Sequence, residues 1–188
     1  GLITGANNQL DVGKSVYTFA LGSQYLYDTI DRNPDFLCAP VDYTNLPHNV
    51  MRNNKTVAIN NTTQIDLKGQ AASETAGHRH ISGTGGLLQF VRAAYASEGG
   101  KSFICLSSTY ERHGKRSSRI VLNLTEGNIV TAPRSDRMYV VTESGMVNLK
   151  GKSVADRAKA LISIAHPDYR EGLEREAYEN RLIPKHYI

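Results

Sequence analysis

The chain has 188 residues, 40% of them hydrophobic, so it is long enough to bury one substantial core. Its 22 lysine and arginine residues exceed its 18 aspartate and glutamate residues, giving a net charge of only +4. No apolar run is long enough to cross a bilayer, and no stretch near Gly1 resembles a secretory signal, so the sequence predicts a cytoplasmic protein without a membrane segment.

The first third of the chain predicts alternating strands and helices. A strand is predicted over residues 16–21, a helix from residue 22 to about residue 30, and a second strand over residues 36–40. Two further strands are predicted over residues 56–60 and 63–67. Their closeness in the sequence indicates a hairpin-like pair.

Three glycines occur within four residues at positions 83–86, Gly-Thr-Gly-Gly, directly before an apolar run. The run places its apolar residues on one helical face, namely Leu87, Leu88, Val91, Ala94 and Tyr95. A glycine backbone can approach a ligand closely, and a helix N-terminus presents unpaired N–H groups at the positive end of its dipole. The segment therefore predicts either a tight turn or a site for an anion, a phosphate or a reaction oxyanion.

Core strands are predicted over residues 103–106, 120–124 and 138–142, with a short connecting segment between Gly145 and Gly151. Ser153, with Asp156 three residues later, predicts a capping box that opens a helix. The apolar face of this helix comprises Val154, Ala158, Leu161, Ile162 and Ala165. A charged helical tail is predicted over about residues 168–188. This alternation predicts an α/β fold, an open and mainly parallel sheet flanked by helices.

Familiar cofactor and metal patterns are incomplete. The sequences Gly13-Lys14-Ser15 and Gly100-Lys101-Ser102 lack the earlier glycine of a P-loop, and Leu88 stands where a dinucleotide fingerprint needs its third glycine. His78 and His80 would share one face of a strand, but no third metal ligand is evident. The sequence therefore predicts neither a metal nor a bound cofactor.

Two charged features remain open to alternative interpretations. The basic cluster at residues 112–119 has no interleaved aromatic residues, so it predicts no nucleic-acid partner. It is either a loop that contacts the phosphates of a small ligand or a solvated loop. Glu143 ends a predicted strand, at the edge where open α/β sheets bind ligands. It is either a site carboxylate or the ion-pair partner of Arg134 or Arg137.

Short blocks follow one another in order from Gly1 to about Ala177. They lie at residues 19–23, 41–45, 58–60, 65–67, 69–70, 83–86, 99–102, 118–121, 133–136, 140–143, 148–153 and 160–167. In this order they resemble the C-terminal domain of the acetyl-CoA hydrolase/transferase family, which contains 4-hydroxybutyrate CoA-transferase and butyryl-CoA:acetate CoA-transferase. The resemblance implies a CoA-transferase-like fold of the NagB/RpiA-like type.

The resemblance also implies transfer of CoA between a short-chain acyl-CoA and a carboxylate such as acetate, with coenzyme A as substrate and no cofactor. In this family a glutamate attacks the thioester and later carries CoA as a glutamyl-CoA thioester. The family's catalytic positions match Gly86, whose N–H would stabilise an oxyanion, Asn45 and the auxiliary Glu143. The positions expected to contact the substrate or CoA are Gly83, Thr84, Gly85, Gly86, Lys115, Ser118 and Arg119.

The family's nucleophilic glutamate lies in a Thr-Glu-Met-type block shortly before the point that matches Gly1. We therefore expect residues 1–188 to be the C-terminal domain of a longer two-domain enzyme. Alone it would be inactive; the N-terminal half of the same enzyme would complete it, in a homo-oligomer. Two alternatives are an acyl-CoA hydrolase, in which water replaces the acceptor acid, and a non-catalytic CoA-binding or structural module.

Overall fold

The computed structural model describes residues 4–136 and 138–184. Its helices are α1 (Gln24–Ile30), α2 (Val41–Thr44), α3 (Pro47–Val50), α4 (Leu87–Ala96), α5 (Val154–Ser163) and α6 (Pro167–Glu179). Its strands are β1 (Ser15–Tyr17), β2 (Phe36–Cys38), β3 (Val57–Asn61), β4 (Gln64–Asp66), β5 (Ala71–Ala72), β6 (Thr75–Ala76), β7 (Arg79–His80), β8 (Lys101–Cys105), β9 (Thr109–Arg112), β10 (Lys115–Ser118), β11 (Ile120–Val121), β12 (Tyr139–Thr142) and β13 (Gly145–Asn148). A 3₁₀ turn spans Arg134–Asp136.

The largest sheet has the strand order β13-β12-β8-β3. Strands β3, β8 and β12 are parallel, and β13 is antiparallel to β12. Strand β4 lies in a second sheet, parallel to β11 and antiparallel to β5, while β1 and β2 form a separate parallel pair. The predicted α/β fold, with a mainly parallel sheet flanked by helices, is confirmed.

Two strand predictions were wrong. Strands β3 and β4 do not form a hairpin, because the Thr62 N–H donates to the Cys105 carbonyl (3.1 Å) while the Thr63 N–H donates to the Ala72 carbonyl (2.8 Å). The chain thus passes from one sheet to the other at these two residues. The segment from Gly145 to Gly151 was predicted to be a connection without secondary structure, but its first part is strand β13, which pairs antiparallel with β12. The side chains of β13 are exposed or half-buried, so its sequence lacks the run of apolar residues that predicts a buried strand.

The main core lies between the second sheet, β12 and the helices α5 and α6; its fully buried side chains include Ile65, Ile120, Val140, Leu149 and Leu161. A smaller cluster joins α4 to β8 through Leu87, Val91 and Ile104. The predicted apolar face of α4 was wrong at Tyr95, which is 41% exposed and whose ring lies under the Lys150 ammonium. The predicted helical tail corresponds to α6, and residues 185–188 lie outside the described residues. No helix in the described ranges is long and apolar enough to cross a membrane.

The predicted cap at the start of α5 is confirmed for the Ser153 side chain, which caps the helix as expected. The Asp156 N–H donates to Ser153 Oγ (3.1 Å), and the Ser153 hydroxyl donates to the Asp156 carboxylate (2.6 Å). Replacing Ser153 with alanine is expected to lower the free energy of unfolding by about 0.5–2 kcal/mol, measured by chemical denaturation, because a helix N–H loses its acceptor. Ser153→Asn keeps a capping oxygen and should unfold close to the unmodified chain. Equal midpoints for the two variants would show that the cap contributes nothing.

Candidate active site

The loop at residues 83–86, called here the glycine loop, lies between the β6–β7 hairpin and α4. The Glu74 carbonyl accepts hydrogen bonds from the N–H groups of Ile81 (2.8 Å) and Ser82 (3.4 Å), so the hairpin fixes the start of the loop. Gly85 has φ +58°, a left-handed conformation that favours glycine. The predicted helix begins directly afterwards, at Leu87. The glycine loop is therefore a turn that leads directly into the N-terminus of α4, with Gly86 as the N-cap residue.

The glycine loop lines an open cleft of about 510 Å³ at the carboxyl end of β3. Asn60 and Asn61, at the end of β3, line the same cleft. The first N–H of α4 with a backbone acceptor is that of Phe90, which donates to the Gly86 carbonyl (3.0 Å). Within residues 4–136 and 138–184, the N–H groups of Gly86 and Leu87 have no hydrogen-bond acceptor. These donors, at the positive end of the helix dipole, are free to bind an anion.

Asn45 and Gly86 are brought into direct contact. Asn45 follows α2 and is only 8% exposed. The Thr44 hydroxyl donates to Asn45 Oδ1 (2.7 Å), which leaves the Asn45 Nδ2 group as a donor. That nitrogen lies only 2.5 Å from the place that a Cβ atom on residue 86 would occupy. Because glycine has no Cβ, the Asn45 amide can lie against the glycine-loop backbone.

Glu143 lies at the end of β12, as predicted, and is held by Ser108, the third residue after β8. Its carboxylate accepts hydrogen bonds from the Ser108 N–H (2.9 Å) and from the Ser108 hydroxyl. The hydroxyl bond is the main cause that lowers the pKa of Glu143; burial opposes the shift, and the Ser108 N–H and the nearby His166 add to it. Glu143 therefore remains an anion at neutral pH. No ion pair joins Glu143 to Arg134 among the described residues, and Arg137 lies outside them.

Replacing Ser108 with alanine is expected to raise the pKa of Glu143 toward its ordinary value of 4.5. Because the folded-state pKa is lowered, the stabilising contribution of Glu143 is fully present above the ordinary value and is lost as the pH falls through the folded value. Carboxyl ¹³C NMR during a pH titration measures the shift. Ser107, which is exposed and next to Ser108, gives a matched control, because Ser107→Ala should leave the titration of Glu143 unchanged. An unchanged titration in Ser108→Ala would contradict the role of the hydroxyl.

Glu143 is at the same sheet edge as the glycine loop but does not line its cleft. Strand β8 lies between β12 and β3, so the ends of those two strands are about 10 Å apart at ordinary strand spacing. Within the described part of the chain, no hydrogen bond or ion pair joins Glu143 to Gly86 or Asn45. The structure thus brings two of the three predicted catalytic residues together and places the third farther along the same edge.

Lys115, Ser118 and Arg119, which were predicted to contact CoA, do not line the cleft at the glycine loop. Lys115 and Ser118 line a second cleft of about 420 Å³, between the β9–β10 hairpin and α6. The Arg119 guanidinium donates to the carbonyls of Thr63 (3.0 Å) and Thr109 (3.4 Å) and lies over the Tyr110 ring. Arg119 therefore ties the hairpin to the connection between β3 and β4. Gly83, Thr84 and Gly85, by contrast, line the cleft at the glycine loop.

Two positioning residues, Thr44 and Ser108, were missed by the sequence analysis. Thr44 orients the Asn45 amide, and Ser108 holds the Glu143 carboxylate. Ser108 follows a parallel strand just as Glu143 does, and this shared placement was a signal that could have identified it. No group of three or more histidine, cysteine, aspartate or glutamate residues that could hold a metal ion occurs in the ranges that the structure describes.

Comparison with known proteins gives matches along nearly the whole chain. The family model of the acetyl-CoA hydrolase/transferase C-terminal domain matches residues 22–177. A probable butyrate:acetyl-CoA coenzyme A-transferase of Syntrophomonas wolfei is 52% identical over 185 residues, and a butyryl-CoA:acetate CoA-transferase of Anaerostipes caccae is 48% identical over 183 residues. These matches cover 98% and 97% of the chain, but 41% of each relative.

The crystal structure of RipA from Yersinia pestis has the same fold over this region. It matches with a TM-score of 0.89 and 45% sequence identity, over 97% of this chain and 41% of RipA. The chain therefore spans about two fifths of the length of the relatives that it matches.

Proposed function

Because the chain belongs to the acetyl-CoA hydrolase/transferase C-terminal domain family, we propose that it supplies the oxyanion-stabilising side of a CoA-transferase site. The reaction moves CoA between a short-chain acyl-CoA and a carboxylate such as acetate. The names of the two relatives, which include butyrate, butyryl-CoA, acetate and acetyl-CoA, support this substrate class. Coenzyme A is a substrate in this proposal and not a resident cofactor.

One observation carries the proposal: the Asn45 amide lies against Gly86 at a helix N-terminus whose first N–H groups are free. When a carboxylate attacks a thioester, the carbonyl oxygen gains a negative charge. The Gly86 N–H and the Asn45 Nδ2 group donate to that oxygen, and the α4 dipole favours its charge. Donors fixed in advance stabilise the charged intermediate more than the neutral thioester, so they raise the rate of the chemical step.

The remaining roles follow from the family resemblance. The nucleophilic glutamate belongs to the N-terminal portion, and this chain alone is inactive. Glu143 is already an anion held by Ser108, so it accepts a hydrogen bond from a substrate N–H or O–H group and orients the substrate. Gly83, Thr84 and Gly85 contact the acyl-CoA in the glycine-loop cleft. Lys115, Ser118 and Arg119 are proposed to bind CoA phosphates, although Arg119 also has a structural use. A cytoplasmic location and a homo-oligomeric state remain predictions.

The test uses this chain joined to the N-terminal portion present in the relatives. With butyryl-CoA as donor, acetyl-CoA and butyrate are expected to form only when acetate is present. Release of CoA at the same rate without acetate would favour the hydrolase. The 188-residue chain alone should catalyse neither reaction; calorimetry with CoA then establishes whether it is a CoA-binding module or a structural one.

A further inference from the structure

One face of the largest sheet is uncovered. Alternate residues of β3, β8 and β12 point to opposite faces. Ala58, Ile104 and Val140 point to one face and are buried. The other, called here the open sheet face, presents Val57, Ile59, Phe103, Tyr139, Val141 and, from β13, Met146. Its polar residues Asn61, Lys101 and Asn148 lie at strand ends. Val57, Ile59 and Met146 are 57%, 69% and 56% exposed. Phe103, Tyr139 and Val141 are half-buried, so the centre of the open sheet face is apolar and partly accessible to water.

The handedness of the connections explains why only one face is covered. The connection between two parallel strands of one sheet is almost always right-handed. When each new strand is added on the same side of the previous one, the segments that connect the strands therefore all lie on the same face of the sheet. The chain advances from β3 to β8 to β12, which are neighbours in that order. Helix α4 joins β3 to β8 and packs on Ile104, and α5 packs on the same side through Val140. No crossover within this run of strands can cover the open sheet face.

Such a face is unusual, because parallel sheets normally carry helices on both sides. Among the described residues, no helix packs against the open sheet face. Helices α5 and α6 belong to the core on the opposite face of the sheet. Helices α1, α2 and α3 have no buried residue. The four strands are about 14 Å across at ordinary strand spacing, so one helix, about 10–12 Å in diameter, covers most of their width.

We propose that the open sheet face is the docking surface for an amphipathic α-helix from the N-terminal portion of the family's enzymes. The length of the relatives supports this occupant, since more than half of their residues lie outside the matched region. The matched family model is that of a C-terminal domain, so a portion N-terminal to it is available to supply the helix. The helix presents apolar residues at i, i+3, i+4 and i+7 to Ile59, Phe103 and Tyr139. A second copy of this chain would instead stack sheet on sheet. The proposal concerns packing and does not depend on the chemistry at the glycine loop.

Cys105 provides a probe within the open sheet face. It ends β8, is half-buried and is a free thiol; in the sheet register it aligns with Val141. In a Cys38→Ser background, Cys105 is the one remaining thiol of this chain. Any cysteines of the N-terminal portion are replaced by serine. Labelling of Cys105 with a maleimide is expected to be at least tenfold slower when the chain is joined to the N-terminal portion than when it is alone.

A matched pair of variants tests the surface itself. In the joined protein, Ile59→Asp should restore fast labelling, because a charge on the open sheet face opposes burial. Ile129→Asp, at an exposed position outside the open sheet face, should leave Cys105 protected. Equal labelling rates in the joined and separate proteins would overturn the proposal. So would protection in the chain alone that increases with its own concentration, since a second copy would then be the occupant. Protection without transferase activity would contradict only the proposed function.

Discussion

Replacing Gly86 with proline, in the chain joined to the N-terminal portion, is expected to lower kcat for CoA transfer by about 10²–10³-fold. Proline has no N–H, so the substitution removes the backbone donor assigned to the oxyanion. The backbone at this position has φ −92°, so proline requires a φ change of about 25° there. Steady-state kinetics with butyryl-CoA and acetate measure the effect, and far-ultraviolet circular dichroism checks the fold.

Alanine at the same position separates loss of the donor from crowding. Gly86→Ala keeps the N–H but places a Cβ atom against the Asn45 amide and the Phe90 ring, so one of these side chains must move. We expect a smaller loss of kcat than with proline. Equal losses in the two variants would mean that close packing with Asn45, and not the N–H group, makes glycine necessary.

Replacing Asn45 with alanine is expected to lower kcat by about 10²-fold, because the second proposed oxyanion donor is lost. The neighbouring residue provides a graded test. Thr44→Val removes the hydroxyl that orients the amide, so kcat should fall by less, whereas Thr44→Ser keeps the hydroxyl and should restore most of the activity. If Thr44→Val and Thr44→Ser have the same kcat, the hydroxyl does not orient the amide.

Features set by neighbouring residues were predicted well from the sequence. The Ser153–Asp156 cap depends on groups three residues apart, and α4 begins where the glycine loop ends. Glu143 was placed correctly at a strand end because the apolar run before it is unambiguous. These are local signals, so no knowledge of the tertiary structure was needed to read them.

Features set by distant partners could not be read in this way. The hydrogen bond of Arg119 is one example, because its guanidinium donates to the carbonyl of Thr63, 56 residues away in the chain. Ser108 and Glu143 are 35 residues apart, and only the parallel pairing of β8 with β12 brings their strand ends together. The same pairing separates Glu143 from the glycine loop, since β8 lies between β12 and β3. The composition of a segment does not reveal such pairings.

The most direct test of the proposed site is a crystal structure of the joined protein with an acyl-CoA analogue in which a methylene group replaces the thioester sulfur. This analogue keeps the carbonyl oxygen but cannot release CoA. We expect the carbonyl oxygen to lie within hydrogen-bond distance of the Gly86 N–H and Asn45 Nδ2, in the cleft at the carboxyl end of β3. A carbonyl bound in the cleft of Lys115 and Ser118, or away from both clefts, would contradict it.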